Sequence, residues 1–203
     1  MPSSLEAFVT AVSRLYATGP AMLSQVSERL PHLPIGDAPL GSGTRLPVTA
    51  YIDEALDAAC AGPLAEVAKS FAAIEPAADW VRNPNYAKDP PDPNFLDNYG
   101  YVEVIGPGRR IDTPDCRVGF LMLGPRTHYP IHEHPAEEVY HVMSGDALWL
   151  RAESPWRVEP PGTLIHHPSW MRHATHAQTK PMLALYCWAG AIATAAVLTK
   201  PRD

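Results

Sequence analysis

Eight of the nine histidines in this chain lie between His128 and His176, and chemistry would begin there. In the stretch THYPIHEHPAEEVYHVMSG, His132 and His134 stand two residues apart, as do Glu138 and Tyr140. Side chains two apart on a β-strand share a face. Further along, PPGTLIHHPSWMRHATH supplies His173. Two imidazoles, a carboxylate and a distant imidazole form a donor set for one borderline divalent or trivalent transition metal ion: Zn, Fe, Mn, Ni or Co. The donor types do not choose among these metals. The competing reading is a histidine-rich surface loop. Glu137, which alternation sends to the other face, suits an exposed carboxylate better than Glu138 does.

Donors so far apart in the chain must be brought together by a regular scaffold. Short β-type runs at 101–105, 117–123, 138–143, 147–151, 163–167 and 182–188 are separated by turn clusters such as GPGRR, SGD and EPPG. Many short strands at regular spacing predict a sandwich or small barrel. Before them the pattern is helical. Leu5, Phe8, Val9, Val12, Leu15 and Tyr16 recur at helical spacing, and Ser3 with Glu6 makes a capping box. Further helices are expected over 22–30, 52–60 and 64–74. The Pro- and Asn-rich stretch 83–97 reads as a linker without regular structure. The expected division is a helical extension over 1–82, the linker over 83–97 and a barrel over 98–203.

Composition narrows the function. The chain has 203 residues, 46% hydrophobic and 19% charged, enough for one good-sized core. Net charge is −6, which argues against a nucleic-acid binder, since that needs a basic stripe. Three dispersed cysteines, Cys60, Cys116 and Cys187, make no disulfide framework and fit a reducing compartment, so a cytoplasmic location is expected. The start of the chain has neither the basic residues nor the apolar run of a secretion signal. The uncharged stretch 181–199 is broken by Gly190 and reads as two buried strands joined at Ala189-Gly190, not as a membrane anchor.

The motifs carry a resemblance. His132-x-His134-x3-Glu138-x6-Gly145 resembles the first cupin motif, and Pro160-x-Gly162 with Pro168-x4-His173 resembles the second. This implies a double-stranded β-helix, or jelly-roll, barrel with one metal inside. From about Asn98 to Gly190 the chain is similar to cupin-type dimethylsulfoniopropionate (DMSP) lyases, the DddQ type in particular. Tyr129 before the histidines, Tyr140 beyond the glutamate, PPGTLIHHPS and the LALYCW strand with Trp188 carry the likeness.

The resemblance implies metal ligands at His134, Glu138 and His173, with Tyr140 close enough to bind or leave the ion and His132 beside it as a further candidate ligand. It implies Tyr140 as the base of a β-elimination that yields dimethyl sulfide and acrylate. A free tyrosine has a pKa of about 10 and needs a nearby cation to serve as base at neutral pH. Aromatic faces hold a sulfonium by cation–π attraction. Trp188, Tyr129, Trp170 and Trp149 are candidates for that, and the resemblance places Tyr129, His132 and Trp188 at the substrate. His128, His141, His166, His167 and His176 read as structural or exposed. The helices would cover the barrel and could join two copies as a homodimer. The competing functions are another metal-dependent cupin enzyme, such as a dioxygenase or sugar isomerase, and a non-catalytic small-molecule sensor.

Overall fold

Ser3 opens the first helix as the capping box predicts. Its hydroxyl accepts from the Glu6 N–H at 3.3 Å, and the Glu6 carboxylate accepts from the Ser3 N–H at 2.6 Å. Two backbone donors without helical partners are thereby satisfied. Helix α1 (Ser4–Tyr16) buries Leu5, Phe8, Val9, Val12 and Tyr16 on one face. Gly19-Pro20 ends it, and α2 (Ala21–Arg29), α3 (Ile52–Cys60) and α4 (Ala65–Ala72) follow. This is a computed structural model, and it describes residues 3–37, 39–92 and 94–199.

The stretch 83–97 is more regular than its composition predicts. Pro84–Lys88 forms a short helix, α5, and Phe95–Asp97 a single 3-10 turn. Proline is no obstacle at the first helical position, where its missing N–H would have no partner anyway. Asn83 caps the helix by accepting from the Asn85 N–H at 2.9 Å. The side-chain amides of Asn83 and Asn85 both donate to the Ala196 carbonyl at 3.1 Å, tying this segment to the last turn of the described chain.

Two five-stranded antiparallel sheets follow, which gives the mainly β class with helices that the sequence predicts. The strands are β1 (Tyr99–Ile105), β2 (Cys116–Leu123), β3 (His128–Glu133), β4 (Ala136–Ser144), β5 (Leu148–Arg151), β6 (Arg157–Val158), β7 (Leu164–His167), β8 (His173–His176), β9 (Met182–Gly190) and β10 (Val197–Leu198). One sheet has the order β1-β2-β9-β4-β7 and the other β10-β3-β8-β5-β6. The stretch 181–199 is therefore one long strand and one very short one. Ala189 and Gly190 close the long strand and do not join two equal ones. No helix among the described residues is long and apolar enough to cross a membrane.

The first sheet is buried on both faces. On β4 and β9, Val139, Met143, Leu183, Leu185 and Cys187 pack towards the helices. Tyr140, Val142, Ala184 and Tyr186 pack between the sheets. This double burial explains why the LALYCW strand reads as a continuous apolar run, since alternation marks only sheets with one wet face. The helices are anchored by packed aromatic rings. Phe71 of α4 lies 3.7 Å from Phe120 of β2, and Phe8 of α1 lies 6.1 Å from Phe120. Burying each such ring stabilises the fold by roughly 1.5–3 kcal/mol. Gly119 lets β1 approach β2, because a Cβ there would lie 1.9 Å from the Val102 carbonyl oxygen.

Candidate metal centre and cavity

The centre is built on β4, the strand flanked by β9 and β7. Its Glu138 carboxylate points between the two sheets and is 1% exposed. Neighbouring Glu137 faces the other way and pairs with His166 at 2.7 Å. His134 lies in the tight turn between β3 and β4, and its Nε2 is 3.0 Å from Glu138 Oε2. His173 opens β8, and its Nε2 is 3.2 Å from the same oxygen. One ligand atom from each of His134, Glu138 and His173 lies within 4.8 Å of the others, with all three residues buried.

Backbone carbonyls fix the two imidazoles from behind. His134 Nδ1 lies 3.0 Å from the Ala136 carbonyl and His173 Nδ1 2.8 Å from that of Met171. Donating from Nδ1 leaves the Nε2 lone pair for an ion, the usual arrangement of a metal-ligating histidine. The loop that carries His173 is stapled to the turn that carries His134. The Trp170 N–H donates to the His134 carbonyl at 2.9 Å and the Ser169 hydroxyl to that of Pro135 at 2.6 Å. Trp170 takes a left-handed φ of 60° to do so.

A bulge shapes the neighbouring wall. The β3–β8 register shifts between Tyr129 and His132, so one extra residue sits in β3 beside Pro130. Regular alternation would turn residues three apart to opposite faces. Here the Tyr129 and His132 rings stack at 3.9 Å and 9°. His132 also packs its edge against His173 at 4.0 Å. It stands beside the three convergent donors and is not one of them.

The electrostatics follow from burial and neighbours. Burial alone would raise the Glu138 pKa, but His134, His167 and His173 outweigh it and hold the carboxyl well below its ordinary range. Burial works against protonation of His134, and the Glu138 charge reverses the balance and raises its pKa. Burial and then the Glu138 charge hold the Tyr140 hydroxyl well above its ordinary value. His167 is pushed down to about 3, chiefly by burial.

A cavity of about 240 Å³ opens beside the centre, with Glu138, Tyr129, Tyr140 and Trp188 in its wall. Tyr99, Tyr101 and Tyr186 extend the aromatic lining, and Glu103 and Arg117 lie in the wall as well. Trp149 and Trp170 do not line it. Trp149 packs against Tyr140 with ring centres 5.1 Å apart, and Trp170 is largely exposed. The three cysteines form no disulfide.

One further buried histidine lies against the group of His134, Glu138 and His173. His167, read as structural or exposed, is fully buried with Nδ1 3.4 Å from Glu138 Oε2 and its ring stacked on His173. The signal was the antiparallel pairing of its strand with β4, which places it opposite Glu138.

The family model for dimethylsulfoniopropionate lyase matches residues 18–184. The chain belongs to the dimethylsulfoniopropionate lyase family. The DMSP lyase DddQ of Ruegeria pomeroyi is 35% identical over 108 residues, which is 53% of this chain and 54% of that protein. A putative DMSP lyase, DddL, of Cereibacter sphaeroides is 30% identical over 146 residues, 71% of this chain and 60% of that protein. The matched part thus spans little more than half the length of these curated relatives. The crystal structure of DMSP lyase DddQ from Ruegeria pomeroyi superposes with a TM-score of 0.74 at 26% identity, covering 98% of each chain. The helices of this DMSP lyase family member therefore belong to the shared fold along with the sheets.

Proposed function

We propose that the chain is a metal-dependent carbon–sulfur lyase that cleaves DMSP to dimethyl sulfide and acrylate. The observation that carries this reading is a single aromatic cavity in which the buried ligand Glu138 and the hydroxyl-bearing Tyr140 share one wall. Family membership and the curated relatives named as DMSP lyases support it.

His134, Glu138 and His173 would hold the ion, with Tyr140 at its edge as a changeable ligand. The residues fit such a group. His173 Nε2 is buried and makes no hydrogen bond, although Glu138 is close. A buried imidazole nitrogen left unpartnered is costly unless something else takes its lone pair. When bound, the ion supplies Lewis-acid stabilisation of the charge that develops next to the substrate carboxylate. Zn, Fe, Mn, Ni and Co all suit the donor types.

The chain's own residues carry the elimination. Tyr140 Oη removes a proton from the carbon beside the carboxylate. The freed electron pair becomes the new carbon–carbon double bond, and the carbon–sulfur bond breaks with its pair going to sulfur. Neutral dimethyl sulfide and acrylate leave. Burial and Glu138 keep Tyr140 protonated, so it becomes a base only with positive charge beside it. The sulfonium offers no hydrogen-bond donor, and the Trp188 and Tyr129 faces hold it by cation–π attraction. His132, stacked on Tyr129 and edge-on to His173, orients both. The free cysteines support a reducing, cytoplasmic location.

The test is a headspace assay on metal-loaded protein supplied with DMSP, with acrylate measured in the same vial. Equal amounts of dimethyl sulfide and acrylate are expected, with no oxygen consumed. Oxygen uptake would make it a dioxygenase. Ligand binding without either product would make it a sensor.

A further inference from the structure

We propose that Glu138 is held in a clamp by its two cross-strand neighbours, His167 and Trp188, and that both are positioning residues for the metal ligands. The inference rests on the metal reading above and assigns these two side chains a task within it.

The clamp follows from register. Glu138 on β4 lies directly opposite Trp188 on β9 and directly opposite His167 on β7. Residues opposite one another in a sheet point to the same face. The three side chains therefore enter the barrel side by side, with the carboxylate in the middle. Trp188 Nε1–H donates to Glu138 Oε1 at 2.5 Å. His167 Nδ1 faces the other oxygen, Oε2, at 3.4 Å. Each carboxylate oxygen is thus met by a nitrogen from a different strand.

Each clamp residue also lies against one of the ligand imidazoles. The Trp188 ring stacks on His134 at 4.1 Å and 29°. The His167 ring stacks on His173 at 3.9 Å and 20°. One side chain therefore fixes the carboxylate and the first imidazole, and the other fixes the carboxylate and the second. Neither belongs to the convergent donor set itself. Indole N–H is a donor only, so Trp188 orients Glu138 without competing for the ion. His167 makes the same contact only as the Nδ1–H tautomer. That leaves its buried Nε2 without a hydrogen-bond partner. A fold that needed only packing here would be better served by an apolar ring. For Trp188 this task is separate from any contact between its face and a sulfonium.

The experiment measures Co(II) affinity of the metal-free full chain by competition with a chromophoric chelator, together with the visible absorption of the bound Co(II). His167→Phe and Trp188→Phe keep a flat ring and lose the N–H. Each is expected to weaken Co(II) binding by about 10–100-fold and to shift the absorption bands. His167→Asn keeps an N–H near the Nδ1 position and is expected to restore most of the affinity and the wild-type spectrum. Wild-type affinity and spectrum in His167→Phe would overturn the clamp, as would His167→Asn binding as weakly as His167→Phe. If His167→Phe does not fold, Trp188→Phe decides on the same criteria. Failure of the wild-type chain to bind Co(II) would overturn the metal reading and the clamp together, an outcome distinct from the others.

Discussion

Tyr140 occupies a contradictory position. It sits in the cavity wall where a proton would be taken, yet burial and Glu138 both hold its hydroxyl in the neutral form. Tyr140→Phe removes the oxygen and leaves the ring packed on Trp149. Turnover is expected to fall by about 10²–10⁴-fold, the usual contribution of a general base. Metal content, read by elemental analysis, should stay at the wild-type level, because His134, Glu138 and His173 are untouched. Retained turnover would remove Tyr140 as the base. His134, Glu138 and His173 stand in the two motifs that the sequence singles out, and the structure brings them into one buried group. His167 was not legible in the sequence. It follows His166 directly, one of such a pair must face in and the other out, and nothing within the dipeptide says which. Only the distant pairing with β4 turns His167 inward and leaves His166 to meet Glu137 outside. The stack of Tyr129 on His132 was hidden for a related reason, since it depends on a bulge that alternation cannot foresee.

Among the elements, the loop ahead of the second helix pair is pinned by one carboxylate. Asp79 Oδ1 accepts from the Ser42 N–H at 2.9 Å, the Thr44 N–H at 2.8 Å and the Ser42 hydroxyl at 2.9 Å. The Thr44 backbone bond lowers its pKa to about 2, and the Ser42 and Thr44 bonds together outweigh the opposing effect of burial. The folded pKa lies below the unfolded value of about 3.9, so the stabilisation is complete above that pH and is lost as pH falls towards 2. The site is partly exposed and screened, which limits the effect to about 1 kcal/mol. Asp79→Asn should lower the melting temperature at pH 7 by about 2–4 °C. Thermal melts should show the gap between variant and wild type closing as the pH approaches 2, and a gap that persists there would refute this account. Helices α1 to α4 were legible because apolar spacing, joined at α1 by a capping box, is a short-range signal. Strands β3 and β8 were not, although they carry His132 and His173. HYPIHE and HATH are polar and interrupted, and they become strands through pairing with each other and with β5 and β10. The short helix α5 was obscured by counting Pro84 as a breaker when it occupies a helix start.

For the molecule as a whole, an ion gripped by residues from two remote segments should stabilise the folded state, because the unfolded chain offers no such site. With free metal at about 100 times its dissociation constant the gain is about 2.7 kcal/mol. Exhaustive chelation should therefore lower the calorimetric melting temperature by about 5–10 °C and stop dimethyl sulfide release. Restoring the ion should recover both, and an unchanged melting temperature would count against a bound metal. The doubly buried sheet has a consequence of its own. Along β4 and β9 the odd-numbered residues, Val139 and Met143 with Leu183, Leu185 and Cys187, grip the helices. The even-numbered ones, Glu138, Tyr140, Tyr186 and Trp188, meet the cavity. Parity thus separates durability from reactivity along the same two strands. A library restricted to even positions other than Glu138 and Tyr140 would reshape the cavity while the odd ones keep the helical layer attached.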